Sequence, residues 1–134
     1  MNPTTRRTGL LALTVMFSAG IHAALVPEHL KEMPALGYSF IVAALIGLAI
    51  AYTLVTRPHD RRLARLAAVF LAGQILIWVL FVTVPVPDFS GTPEPIEVIA
   101  LVSKAAELVG IALALPLAYP GRMRSLTLTA ASSQ

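Results

Sequence analysis

Ile96-Glu-Val-Ile-Ala-Leu-Val-Ser-Lys-Ala-Ala-Glu-Leu-Val-Gly-Ile-Ala-Leu-Ala-Leu-Pro-Leu-Ala-Tyr119 is the stretch whose reading decides the fold. It is apolar for most of its length, lacks the strict alternation of a half-buried strand, and exceeds the roughly 20 residues an α-helix needs to cross a bilayer. In hydrocarbon every backbone amide has to be paired within its own segment, so such a run becomes a helix. Wound at about 100° per residue, it divides into two faces. Glu97, Ala100, Ser103, Lys104, Glu107, Gly110 and Ala114 share one; Leu101, Val102, Leu108, Val109, Ala112 and Leu113 share the other. The small, polar face is expected to look into a bundle.

Three more runs of this kind precede it: Gly9–Val26, Ala35–Val55 and Leu63–Val84. A closed membrane barrel would need at least about eight alternating strands, which the continuous runs do not supply. The 134 residues are 57% hydrophobic and 13% charged, with mean hydropathy +0.78. A soluble domain carries roughly a quarter of its residues as charges, so an ordinary soluble globule is excluded. There is no cysteine, hence no disulfide, thiolate zinc site or Fe–S cluster. The connections are short, which makes sequential helices antiparallel. The expected architecture is an all-α membrane protein: one four-helix up-down-up-down transmembrane bundle over residues 1–120, followed by a flexible tail at 121–134. Small-xxx-small stripes, Ala106-Gly110-Ala114-Ala118 and Ala43-Gly47-Ala51, would let helix backbones approach closely.

The charges orient this bundle. Arg6 and Arg7 precede the first run, Arg57, Arg61, Arg62 and Arg65 flank the second connection, and Arg122 and Arg124 follow the fourth run. The other two connections hold Lys31 but also Glu28, Glu32, Asp88, Glu94 and Glu97. By the positive-inside rule both termini are expected in the cytoplasm of a multi-pass protein of the cell inner membrane. The pI near 9.8 then reflects topology and attraction to anionic lipid heads, with no nucleic-acid partner expected. Arg6-Arg7 and the first run also fit a signal peptide, but neither Ala19-Gly20-Ile21 nor Ile21-His22-Ala23 has small residues at both cleavage positions, so an uncleaved helix is favoured. Arg57–Arg62 is expected to be a tight turn, and Val84–Glu97, with Pro85, Pro87, Pro93 and Pro95, a stiff outer loop.

Lys104 and Glu107 are the charges a membrane span should exclude, since one at mid-helix costs about 2.5 to 3.5 kcal/mol on insertion scales. At the helical rise they lie about 12 and 16 Å in from Ile96; Gln74 lies about 15 Å in from Val84, and Ser18 and His22 about 12 and 6 Å in from Val26. Ser18, His22, Gln74, Lys104 and Glu107 can therefore form a buried polar column, a candidate proton relay opening toward the outer side. The alternative is that Lys104 and Glu107 neutralise each other at i,i+3 and fix helix register, with Gln74 as an interhelical hydrogen bond.

Between the first two runs stands Val26-Pro-Glu-His-Leu-Lys-Glu-Met-Pro34. Pro27 suits the start of a short separate helix and Pro34 its end. On that turn Glu28, His29 and Glu32 neighbour one another. Joined by His22 they form a candidate site for a divalent metal ion, although an amphipathic interfacial turn has the same spacing. Met16 and Met33 are too few for a Cu(I) conduit. Only His22 lies within a span, so no haem is expected. Trp78 and Tyr38 read as packing or interface residues, and Tyr52 and Tyr119 as belt aromatics.

His22–Gly37 and Val86–Lys104, the latter with its Gly91-Thr-Pro-Glu-Pro95 loop, resemble a type of small four-helix membrane protein of high-GC bacteria. The resemblance spans nearly the whole chain apart from the tail. It implies the fold and the membrane, and carries no activity.

An enzyme is not expected. No nucleophile stands beside a base, Ser103 and Lys104 point about 100° apart, and no Gly-rich phosphate cradle occurs. The expected function is that of an integral inner-membrane protein with an outward-facing polar site for a metal ion or protons. The alternative is a non-catalytic accessory or assembly subunit of a larger membrane complex, with Lys104–Glu107 as a structural pair. Beyond the lipid bilayer, the expected partners are a second copy of the chain or that complex.

Overall fold

A computed structural model of the protein describes residues 2–84 and 96–120. The described residues form four α-helices: α1 (Pro3–Glu32), α2 (Pro34–Thr56), α3 (Arg61–Thr83) and α4 (Val98–Ala118). All four are long and apolar enough to cross a membrane. The proline-rich connection with Asp88 and Glu94, the Arg122 and Arg124 pair, and the tail at 121–134 lie outside the described residues.

The ends of the helices follow local chemistry. Asn2 caps α1 by accepting from the Thr4 amide at 3.1 Å, and Asp60 caps α3 by accepting from the Arg62 amide at 2.8 Å. The α2–α3 connection is the expected tight turn, closed by the Asp60 amide donating to the Arg57 carbonyl at 3.1 Å. The α1–α2 connection differs from expectation. Pro27 does not begin a separate short helix; it lies inside α1, which continues to Glu32. Proline removes one amide donor and disfavours the preceding turn, but tertiary contacts beyond it outweigh that loss. Leu30 backs onto Gly37 of α2, and the His29 ring packs against Phe40. Met33 alone joins the two helices, and Pro34 starts α2 at its first turn, where its missing amide costs nothing.

α1 packs along both α2 and α4, α3 packs along α4, and α2 and α3 meet sparsely. Backbone approach is set by glycine. A β-carbon on Gly37 would lie 2.7 Å from the Leu30 amide nitrogen, one on Gly47 2.9 Å from Ala19, and one on Gly110 2.5 Å from Leu71. Gly47 and Gly110 belong to the two small-residue stripes, which thus serve the α1–α2 contact and the contacts of α4 with α3 and, through Thr14, with α1. On α4 the buried residues are Ser103, Lys104, Glu107, Gly110, Ala114 and Ala118, the face expected to look inward, while Leu101, Val102, Leu108 and Val109 are exposed.

The apolar core gathers at one end. Leu11, Val15, Ile50, Leu54, Ala67, Leu71 and Ala114 belong to one cluster, in the half that carries Arg6, Arg7, Arg57, Arg61 and Arg62. There the Thr8 hydroxyl donates to the Pro58 carbonyl at 2.9 Å, and the Arg65 guanidinium lies 5.4 Å from the Tyr119 ring centre. In the other half α2 and α3 splay, and that gap positions the site.

Candidate polar site

Glu107 lies at the centre, with no exposed surface. Its Oε1 accepts from Ser18 Oγ of α1 at 2.9 Å, from Ser103 Oγ at 3.0 Å and from Lys104 Nζ at 2.8 Å. Its Oε2 accepts no aligned hydrogen bond among the described residues and meets only the Lys104 ammonium, 2.6 Å away. Removing a carboxylate from water costs several kcal/mol, and an adjacent cation with two hydroxyl donors is the compensation it requires. Helix geometry supplies these partners: Ser103 and Lys104 sit one turn before Glu107 on the same face of α4. Ser18 comes from α1 at the matching depth, so the cluster also clasps α1 to α4.

Lys104, 8% exposed, makes one further contact, to the backbone carbonyl of Gln74 at 3.4 Å. Gln74 therefore joins the column through its main chain. Its side-chain amide has no partner among the described residues and lines a cavity instead. His22 is 7% exposed, and its Nδ1 donates to the Ser18 carbonyl at 2.8 Å. A carbonyl can only accept, so the hydrogen sits on Nδ1, which leaves Nε2 uncommitted. The sequence-derived column is thus assembled in space: Ser18, Lys104 and Glu107 by direct contact, His22 through the Ser18 backbone, and Gln74 through its carbonyl.

The proposed metal ligands do not assemble in the same way. His29 Nδ1 donates to the Leu25 carbonyl at 3.0 Å, and Glu28 and Glu32 are exposed at the end of α1. Among the described residues no group of three or more His, Asp or Glu is placed to hold a metal ion. His22 and His29 lie two turns apart on the same face of the continuous α1, and Phe40 of α2 packs against both, its ring centre 5.3 Å from that of His22, edge to face, and 4.7 Å from that of His29. Sequence reasoning passed over Phe40. Its signal was present, because Phe40, Ala43 and Gly47 share the face of α2 that carries the small-residue stripe.

A cavity of about 830 Å³ occupies the splayed half. All four helices line it: His22 and His29 from α1, Ser39 and Phe40 from α2, Gln74 and Trp78 from α3, Ser103 and Lys104 from α4, with Glu97 at the start of α4. The rest of the wall is aliphatic or aromatic. Ser18 and Glu107 lie behind it, so the cavity meets the buried ion pair through Lys104. Hydrogen-bond donors and an uncommitted imidazole nitrogen therefore face an otherwise apolar space.

Comparison with known proteins finds no matching family model, no matching curated relative and no matching solved structure.

Proposed function

We propose that this chain is a multi-pass protein of the cell membrane, threaded up-down-up-down with both termini cytoplasmic, whose outward-facing polar site takes up and passes protons. The observation that carries this reading is the cavity that joins Lys104 to His22 and His29. Imidazole is the side chain suited to exchanging protons near neutral pH, and His22 is linked through Ser18 to the buried carboxylate. Intramembrane ionisable groups facing a cavity mark proton or ion pathways. A divalent metal is the less favoured ligand, because no three His, Asp or Glu side chains among the described residues converge to hold one.

The test is histidine-selective ¹⁵N NMR of the protein in lipid nanodiscs. His22 is expected to change protonation as the pH is lowered across the range in which the protein stays folded, and to respond to Lys104→Met, which alters its surroundings without touching its ring. An imidazole locked in one tautomer across that range would overturn the proton reading. Stoichiometric zinc in purified protein, lost on His22→Ala and His29→Ala, would replace it with the metal reading. An accessory role draws support from a different feature: Glu107 Oε1 takes its three hydrogen bonds from Ser18, Ser103 and Lys104 within the bundle, as in a purely structural clasp. A stable partner that co-purifies in mild detergent would favour that role.

A further inference from the structure

The cavity's wall, charge and mouth together define a ligand. At about 830 Å³ it has the size of a small-molecule site. Its mostly apolar wall offers no replacement for the water around a hydrated ion. Its charges also disfavour an anionic head: Glu107 already neutralises Lys104, and Glu97 adds a negative charge at the rim, so an anion gains no free cation. The unspent capacity is for hydrogen bonding. The Gln74 amide and the Trp78 indole N–H have no partner among the described residues, His22 Nε2 is uncommitted, and the third Lys104 N–H is held only by the long 3.4 Å contact to the Gln74 carbonyl. These groups suit neutral carbonyl or hydroxyl oxygens.

The mouth lies toward lipid. Val42 and Ile46 of α2 and Val69 and Ile77 of α3 line the cavity and are also exposed on the outer surface, on the side where α2 and α3 meet sparsely. A ligand entering there comes from the hydrocarbon. Phe40 and Trp78 add aromatic faces to the wall, which suit a flat ring.

We propose that this cavity binds a membrane quinone or its quinol. The ring lies among Phe40 and Trp78, its oxygens face His22, Gln74 and Lys104, and its tail leaves between α2 and α3. The quinone site rests on the proton-site reading for its floor, and in its quinol form the ligand would bring hydroxyl protons within reach of His22 with no change of oxidation state at this site.

Trp78 is the chain's single tryptophan, so intrinsic fluorescence reports on this wall directly. Decylubiquinone is titrated into the protein in phosphatidylcholine nanodiscs, with decanoate as a competitor of equal tail and anionic head. Saturable quenching, with one quinone per chain and no displacement by decanoate, is the expected result. A β-carbon on Gly73 meets nothing within 4 Å, and Gly73 lines the cavity, so Gly73→Leu is the variant that adds bulk to this wall from an unobstructed position. This variant should keep its helix content and Tm and lose the saturable phase. Quenching that only rises in proportion to quinone in the lipid, saturable quenching that survives Gly73→Leu, or equal displacement by decanoate would each overturn the quinone site. If His22 titrates but decylubiquinone does not bind, the quinone site falls and the proton site stands. If decylubiquinone binds while His22 stays locked, the proton reading falls and the binding site stands.

Discussion

Glu107 shows what a single residue contributes. With its carboxylate fully buried, it is tolerable only because a cation and two hydroxyls face it. Glu107→Gln keeps the shape but leaves the Lys104 ammonium nearly buried and unpaired, so it is expected to cost about 3–5 kcal/mol in unfolding experiments in detergent. The double variant Lys104→Met/Glu107→Gln removes both charges and should recover most of that loss. An unchanged midpoint in the single variant would show that the pair contributes no net stability. Counting the helical rise inward from the span ends was enough to put Ser18, Gln74, Lys104 and Glu107 in neighbouring layers. It did not show that Gln74 contributes its carbonyl rather than its amide. Depth follows from residue number, whereas the choice of atom depends on how each helix is rotated against its neighbours.

At the scale of the element, α1 and its join to α2 depart most from the local pattern. Two prolines around a charged stretch read as a short independent helix, yet only Pro34 marks a boundary. The contact between Leu30 and Gly37 is so close that the intruding atoms would be backbone, which cannot move aside like a side chain. Gly37→Ala is therefore expected to destabilise the protein by about 1–3 kcal/mol. Gly20, where an added β-carbon meets nothing within 4 Å, is the matched control. Gly20→Ala should be neutral or stabilising by up to about 1 kcal/mol, because alanine has the better helix propensity. Thermal unfolding of the two variants side by side measures the difference. Equal midpoints would mean that α1 and α2 are not in backbone contact at Gly37.

The whole molecule is packed unevenly. Its apolar core and the Thr8–Pro58 hydrogen bond hold the arginine-rich half together, whereas the cavity occupies the other half. The proposed threading gives this asymmetry a direction: the closed end faces the cytoplasm and the open end faces outward. The absence of native cysteine makes that testable by single-cysteine labelling in oriented vesicles. A cysteine replacing His59 should react only from the cytoplasmic side, and one replacing Lys31 only from the opposite side. The same sidedness for both positions would overturn the threading.

The sequence by itself determined the helices, their apolar exteriors and the inward face of α4, because hydrophobic run length and period are local properties of consecutive residues. It also singled out Lys104 and Glu107, since a charge within an apolar run is conspicuous wherever the run folds. Only the tertiary structure decided that Ser18 and Ser103 complete the Glu107 site, that Phe40 packs against both His22 and His29, and that α2 and α3 part to leave a cavity over Lys104. Helix rotation and splay arise from many weak contacts between distant segments, set here by Gly37, Gly47 and Gly110, and no periodicity within one helix records their sum.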